Sequence, residues 1–188
     1  MKKQLVTTAR SLTVETEKKL NTQIMLEGQS SAYYLSMASW CHKEGYSTSA
    51  EFLYRHSEEE RIHMLKIFGY INDAGGHALQ PVINSIPHEF DNLRKVFELI
   101  LEHEISVTKS INELVDHCFT IKDFTTFHFL QWFVTEQREE ETLARRAVEL
   151  FDIIGEEGVG LWTIDQEIGK LENFAQKPGP GGESESPA

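Results

Sequence analysis

The sequence predicts an all-α protein: a four-helix bundle with one long crossover between the second and third helices and a short fifth helix at the C-terminal end. Three observations predict it. Apolar residues recur at steps of three and four through four long stretches. The connections on either side of the middle one are short, whereas the middle one is long and carries two prolines. Each long stretch also carries a carboxylate or amide on its otherwise apolar row.

Residues 1–12 are polar and unpatterned and read as a flexible N-terminal arm. Thr13 can cap the first helix, with Glu15 and Glu17 near its positive end. Its inward row is Leu20, Ile24, Glu27, Ser31, Tyr34, Ala38, and Gly45 fits a left-handed stop. Ser47, Thr48 or Ser49 can cap the second helix, which runs to about Asp73 along the row Leu53, His56, Glu60, His63, Ile67, Ile71. Gly75 and Gly76 end it. From Gly76 to His88 there is no helical period, and Pro81 and Pro87 hold the chain extended. Such a segment covers roughly 40 Å at ~3.3 Å per residue, about the length of a bundle helix. It can therefore return the chain to the starting end and leave the helices flanking it parallel.

The third helix begins between Glu89 and Asn92 and presents Phe97, Ile100, Glu104, Val107, Ile111, Leu114. The fourth begins near Asp123, presents Leu130, Phe133, Gln137, Glu140, Ala144, Ala147, Phe151, and ends before Gly155. Leu161, Trp162, Ile164, Ile168 and Leu171 mark a fifth helix too short to stand alone. The bundle thus spans residues 13–174, and residues 175–188 form a Gly/Pro/Ser-rich tail expected to be disordered.

The net charge of -12, from 30 acidic and 18 basic residues, excludes the basic footprint of a nucleic-acid binder and suits cations. No apolar run approaches the ~20 residues of a membrane span, and Met1–Leu5 lacks the apolar core of a secretory signal. Cys41 and Cys118 show no metal or redox spacing and read as reduced core thiols of a cytoplasmic protein.

Glu60-x-x-His63 places an oxygen and a nitrogen ligand one turn apart on an inward face. Alone this is a common pattern. Glu27, Glu104, and Gln137 with Glu140 give it company, because independent surface residues would not all fall on apolar rows. Burying several carboxylates together is prohibitive unless cations compensate them. Two divalent ions bridged by Glu60 would do so, and oxygen ligands with an imidazole suit iron, with manganese or zinc as alternatives. By contrast His56 and His103 read as surface or satisfied core histidines, Tyr34 taken alone as a core aromatic, and Phe127, Phe129, Trp132 and Phe133 as packing.

Leu26-Glu27 with Ser30, Ser31 and Tyr34, the run Arg55 to Glu60 with His63-Met64, Glu104 with Ile111 to Leu114, and Phe129 to Val134 with Glu136-Gln137 and Glu139 to Glu141 together resemble the non-haem bacterial ferritins over residues 15 to 173. The resemblance implies a ferritin-like fold and iron storage with ferroxidase activity, Fe2+ being oxidised by dioxygen or hydrogen peroxide. It implies a hollow shell of 24 copies with the fifth helix at the four-fold axis. It places a first iron on Glu27, Glu60 and His63, and a second on Glu60, Glu104 and Glu140 with Gln137 beside it. A third adjacent iron falls to Glu59, Glu136, Glu139 and Glu140, and Tyr34 becomes a hydrogen-bonded neighbour of the centre. Haem is not expected: Arg61 stands where haem ferritins carry a methionine, and the fourth helix has no second ExxH. The alternative is a rubrerythrin-like di-metal oxidase or peroxidase without storage, which the lack of a Cys-x-x-Cys module disfavours. A metal-free structural bundle is disfavoured by the four inward glutamates.

Overall fold

The computed structural model describes residues 10–171, so most of the N-terminal arm and the whole C-terminal tail lie outside it, as do residues 172–174. Helix α1 spans Val14–Glu44, α2 Ser47–Asp73, α3 Leu93–Thr120, α4 Phe124–Ile154 and α5 Gly160–Ile168. The first four form the expected bundle, and α5 packs against α2 and α4. The described end of the arm is not loose: Arg10 pairs with Glu17, and Leu12 is buried among Leu20, Ile67 and Ile71.

Caps set three of the helix starts. Thr13 accepts from the Thr16 amide, Asn92 from Lys95 and Asp123 from Thr126, each satisfying an orphan donor of a first turn. Gly45, at φ 89°, ends α1 in the left-handed region that favours glycine. The start of α2 differs from expectation. None of Ser47, Thr48 and Ser49 acts as its cap, and Tyr46 before them makes no side-chain cap. The buried carboxylate of Asp165, on α5, accepts from the Ser49 amide at 2.8 Å and the Thr48 amide at 3.3 Å. The fifth helix therefore caps the second.

Cross-helix contacts fix the directions. Along α1, Thr16 meets His117, Gln23 meets Ser110 and Ser30 meets His103, so α1 and α3 are antiparallel. Ser31 with Ser57 and Glu27 with His63 make α1 and α2 antiparallel as well. Hence α2 and α3 run parallel, as the long crossover requires.

That crossover lies along α1. Its backbone meets a ladder of α1 side chains: Asn21 donates to the His77 carbonyl and accepts from the Leu79 amide, Gln29 accepts from Asn84, and Ser36 donates to the Pro87 carbonyl. An extended strand with no sheet partner thereby finds partners for its polar groups. Gly28 allows the closest approach: a Cβ there would stand 3.0 Å from Pro81 Cγ and 3.2 Å from Met64 Sδ.

The core is divided. One apolar cluster gathers Tyr34, Met37, Phe52, Leu53, Phe97, Ala144, Phe151 and Ile164; a second gathers Leu20, Ile24, Ile67, Ile71, Ile111, Leu130 and Phe133. Between them, at the waist of the bundle, the inward rows turn polar.

Candidate metal centre

The waist holds Glu27 from α1, Glu60 and His63 from α2, Glu104 from α3, and Gln137 and Glu140 from α4, all buried. Each occupies a position on the inward row of its own helix.

Glu27, Glu60 and His63 bring ligand atoms within 4.8 Å of one another. His63 Nδ1 lies 3.9 Å from Glu27 Oε2 and 3.7 Å from Glu60 Oε2. The two oxygens of Glu27 differ sharply. Oε1 accepts from the Gln23 amide at 2.7 Å, whereas Oε2 is buried with no hydrogen-bond partner. An orphaned carboxylate oxygen facing an imidazole and a second carboxylate is what a divalent cation would satisfy. Gln23 is itself buried, and its carbonyl accepts from Ser110 Oγ at 2.7 Å.

Glu104 and Gln137 also come together, but in a different way. Tyr34 donates to one oxygen of Glu104, and the Gln137 amide donates to the other and to the Glu104 backbone carbonyl at 3.3 Å. Glu104 falls in none of the three ligand clusters formed by the described residues.

Glu140 joins two of them. One contains His63 and Glu136, with His63 Nε2 4.0 Å from Glu136 Oε1. The other contains Glu59 and His56, a residue the sequence reads as surface or satisfied core. His56 Nδ1 lies 3.3 Å from Glu140 Oε2 and 3.4 Å from Glu59 Oε2. The signal for His56 stood on the inward row of α2, four residues before Glu60. Gln23 likewise stands four residues before Glu27. Glu139 is half-buried and belongs to none of the clusters.

Electrostatics follows from this crowding. Burial, then the Glu60 charge, holds the Glu27 carboxyl well above the ordinary range. Burial also pushes Glu60 up to about 8, with the proximity of the Glu27 carboxyl opposing the rise and Glu140, Glu59 and Glu136 adding to it. Glu104 is raised by burial and then by Glu140. For Glu140 burial acts upward too, yet the hydrogen bond and charge of His56, with His63, outweigh it, and the carboxyl is lowered. Without metal, then, the centre keeps protons that cations would displace. Aromatic rings hold the imidazoles in place: Trp132 stands edge-on to His63 at 5.3 Å, and Phe52 packs on His56 at 4.1 Å.

A bundle of this topology, with carboxylates and imidazoles gathered at its waist, defines the ferritin-like class. The chain belongs to the ferritin family: the ferritin-like domain matches residues 17–154. It is 43% identical over 158 residues to a probable bacterial non-heme ferritin-like protein of Haemophilus influenzae, covering 84% of this chain and 96% of that one. It is also 43% identical to the bacterial non-heme ferritin of Campylobacter jejuni, over 84% of this chain and 94% of that protein. Among solved structures, an open pore ferritin from the hyperthermophilic archaeon Archaeoglobus fulgidus superposes with a TM-score of 0.82 at 37% identity, covering 85% of this chain and 98% of that one.

Proposed function

We propose that this protein stores iron and oxidises Fe2+ to Fe3+ at the waist of its bundle. The observation that carries the reading is the buried group of Glu27, Glu60, His63 and Glu140 between two apolar clusters, with an orphaned Glu27 oxygen. Fe2+ is the substrate. Glu27, Glu60 and His63 take the first ion, and Glu60, Glu104 and Glu140 the second, with Gln137 and Tyr34 holding the Glu104 carboxyl beside the pair. Glu59, Glu136, Glu139 and Glu140 offer a third position. Two Fe2+ ions give one electron each to dioxygen, which takes two protons and leaves as hydrogen peroxide. With hydrogen peroxide as oxidant, the same two electrons and two protons give water. The Fe3+ then hydrolyses, releasing protons, and passes to mineral.

Storage requires an enclosed volume, and we assign a 24-copy shell of roughly half a megadalton from subunits of 21.6 kDa. Support comes from α5 and the turn before it, where Trp162 and Val159 are 68% and 77% exposed. Apolar residues in that position mark an interface. The location is cytoplasmic, in keeping with two buried free thiols, and no helix among the described residues is long and apolar enough to cross a membrane.

The test combines assembly with turnover. Light scattering after aerobic Fe2+ loading is expected to find an iron-filled shell, and deletion from Leu161 onward should weaken assembly. Glu60→Ala and His63→Ala should slow oxidation at least tenfold while the subunit folds. A monomer or dimer at micromolar concentration removes the shell, and unchanged oxidation rates remove the assigned site.

A further inference from the structure

We propose that the groove between α3 and α4 is an entrance for hydrogen peroxide to the Glu104 side of the waist, with the Thr108 hydroxyl as its docking point and Gln137 standing between groove and centre. The inference deepens the ferroxidase reading above and rests on it.

The groove has a volume of about 470 Å3, room for several molecules the size of water at about 30 Å3 each. Its floor is Ile111 and Gln137, both buried, and Asn112, Thr142, Arg138 and Arg145 stand exposed at the rim. Gln137 belongs to groove and centre alike. Its amide donates to the Glu104 carboxylate and, at 3.3 Å, to the Glu104 backbone carbonyl. That carbonyl lies four residues before Thr108, where a helical threonine hydroxyl ordinarily finds its acceptor. Thr108 makes no such bond: its Oγ1 is buried, lines the groove and has no hydrogen-bond partner among the described residues. A buried hydroxyl left unmet costs free energy that a polar guest in the groove would recover.

The lining selects the guest. The rim carries two arginines against Glu141, which pairs with Arg145 at 3.1 Å, so its net positive charge repels Fe2+. The α2–α4 flank of the waist is acidic instead, with Glu59 exposed and Glu136 half-buried, and that is the side that draws the cation. Dioxygen is apolar and gains nothing from an unmet hydroxyl. Hydrogen peroxide is neutral, small, and both donates and accepts hydrogen bonds. Once at the pair it takes one electron from each Fe2+ and two protons, its O–O bond breaks, and two waters leave. A second groove, between α1 and α3, also ends on an amide beside a ligand carboxylate and has a volume of about 330 Å3. There, however, Ser110 and Gln23 satisfy each other and Glu27, so its floor offers a guest no unmet group.

Stopped-flow oxidation by the assembled full-length protein, loaded anaerobically with two Fe2+ per subunit, tests the entrance when peroxide and dioxygen are compared in each variant. Thr108→Val keeps the shape and removes the hydroxyl. The KM for peroxide should rise about three- to tenfold with kcat held, the loss of one hydrogen bond, and the dioxygen rate should not follow. Thr142→Trp, at the rim, should slow the peroxide reaction at least as much, by obstruction. Thr22→Trp fills the α1–α3 groove instead and should leave the peroxide rate unchanged. Unaltered peroxide kinetics in either Thr108→Val or Thr142→Trp, equal slowing of both oxidants, or equal slowing by Thr22→Trp overturns the entrance. So does a wild type that uses dioxygen but not peroxide. Glu60→Ala addresses the ferroxidase reading on its own: undiminished oxidation there removes the centre, by whichever route peroxide arrives. Circular dichroism and light scattering establish that each variant is folded and assembled.

Discussion

Gln23, backed by Ser110, sets how Glu27 is presented. The Ser110 hydroxyl donates to the Gln23 carbonyl, the Gln23 amide donates to Glu27 Oε1, and Oε2 is left facing His63. Flipping the buried amide would set two oxygens against each other. Gln23→Leu should therefore weaken the first ion roughly 10–100-fold, the usual cost of losing a group that orients a ligand. Ser110→Ala should cost less, since the amide can keep its orientation without help. Anaerobic Fe2+ titration checks both, and equal binding in Gln23→Leu and wild type would make this chain of hydrogen bonds mere packing. Lys122 is a different kind of residue effect. It adopts φ 61° in the turn between α3 and α4, a left-handed conformation that costs a side-chain-bearing residue about 1 kcal/mol. Lys122→Gly should raise stability by up to that amount, less the greater freedom glycine gains on unfolding, as measured by denaturant midpoint.

Asp165 shows how an element can be held by another one distant in sequence. Asp165→Ala strips both cap bonds from the start of α2 and should cost about 1–2 kcal/mol, with faster amide exchange at Thr48 and Ser49. Asp165→Asn, which still accepts hydrogen bonds, should recover most of the loss; a similar deficit in both would mean that charge rather than capping matters. This cap also marks where sequence reasoning stops. Thr13 is legible as a cap, and Asn92 and Asp123 as the neighbourhood of helix starts, because each caps its own helix three residues on. Asp165 is not, because its partners lie in another helix and nothing local to Ser47 names it. The same contrast runs through the site. Glu27, Glu60, His63, Glu104, Gln137 and Glu140 stand out as polar breaks in apolar rows. That Glu104 would be bound by Tyr34 and Gln137, and that His56 rather than Glu139 would approach Glu140, depends on side-chain directions between helices, which periodicity along one helix does not contain. The crossover was legible as an extended segment from Pro81 and Pro87, but the ladder of Asn21, Gln29 and Ser36 beneath it was not. Gly28→Ala tests that contact: the added methyl pushes on Pro81 and Met64 and should loosen the crossover, seen as protease cleavage between Leu79 and Pro87.

At the scale of the whole molecule, the waist couples stability to pH and to metal. The ordinary carboxyl value for Glu60 is 4.5, and in the folded metal-free protein it is pushed up to about 8. Between those values the folded chain holds a proton that the unfolded chain has released, so stability must fall as pH rises through this window. Glu27 and Glu104 are raised as well and act in the same sense. Glu136 is raised too, so Glu140, which is lowered, opposes four carboxyls. The metal-free protein should thus lose on the order of a few kcal/mol per subunit between about pH 5 and pH 8. A divalent ion inverts the dependence, because it binds the deprotonated carboxylates and competes with those protons. Zn2+ should stabilise weakly near pH 5 and strongly near pH 8, by RT ln(1 + [L]/Kd) with a Kd that falls as protons leave. Glu60→Gln removes the Glu60 titration: it should flatten the metal-free slope, raise the metal-free Tm at pH 8 and abolish much of the Zn2+ response. Thermal unfolding with and without chelator, across pH 5 to 8, measures all three. A metal-free Tm that climbs through this window would mean that the waist carboxylates are ionised and satisfied by protein donors alone, and the case for cations as their counter-charge would fall with it.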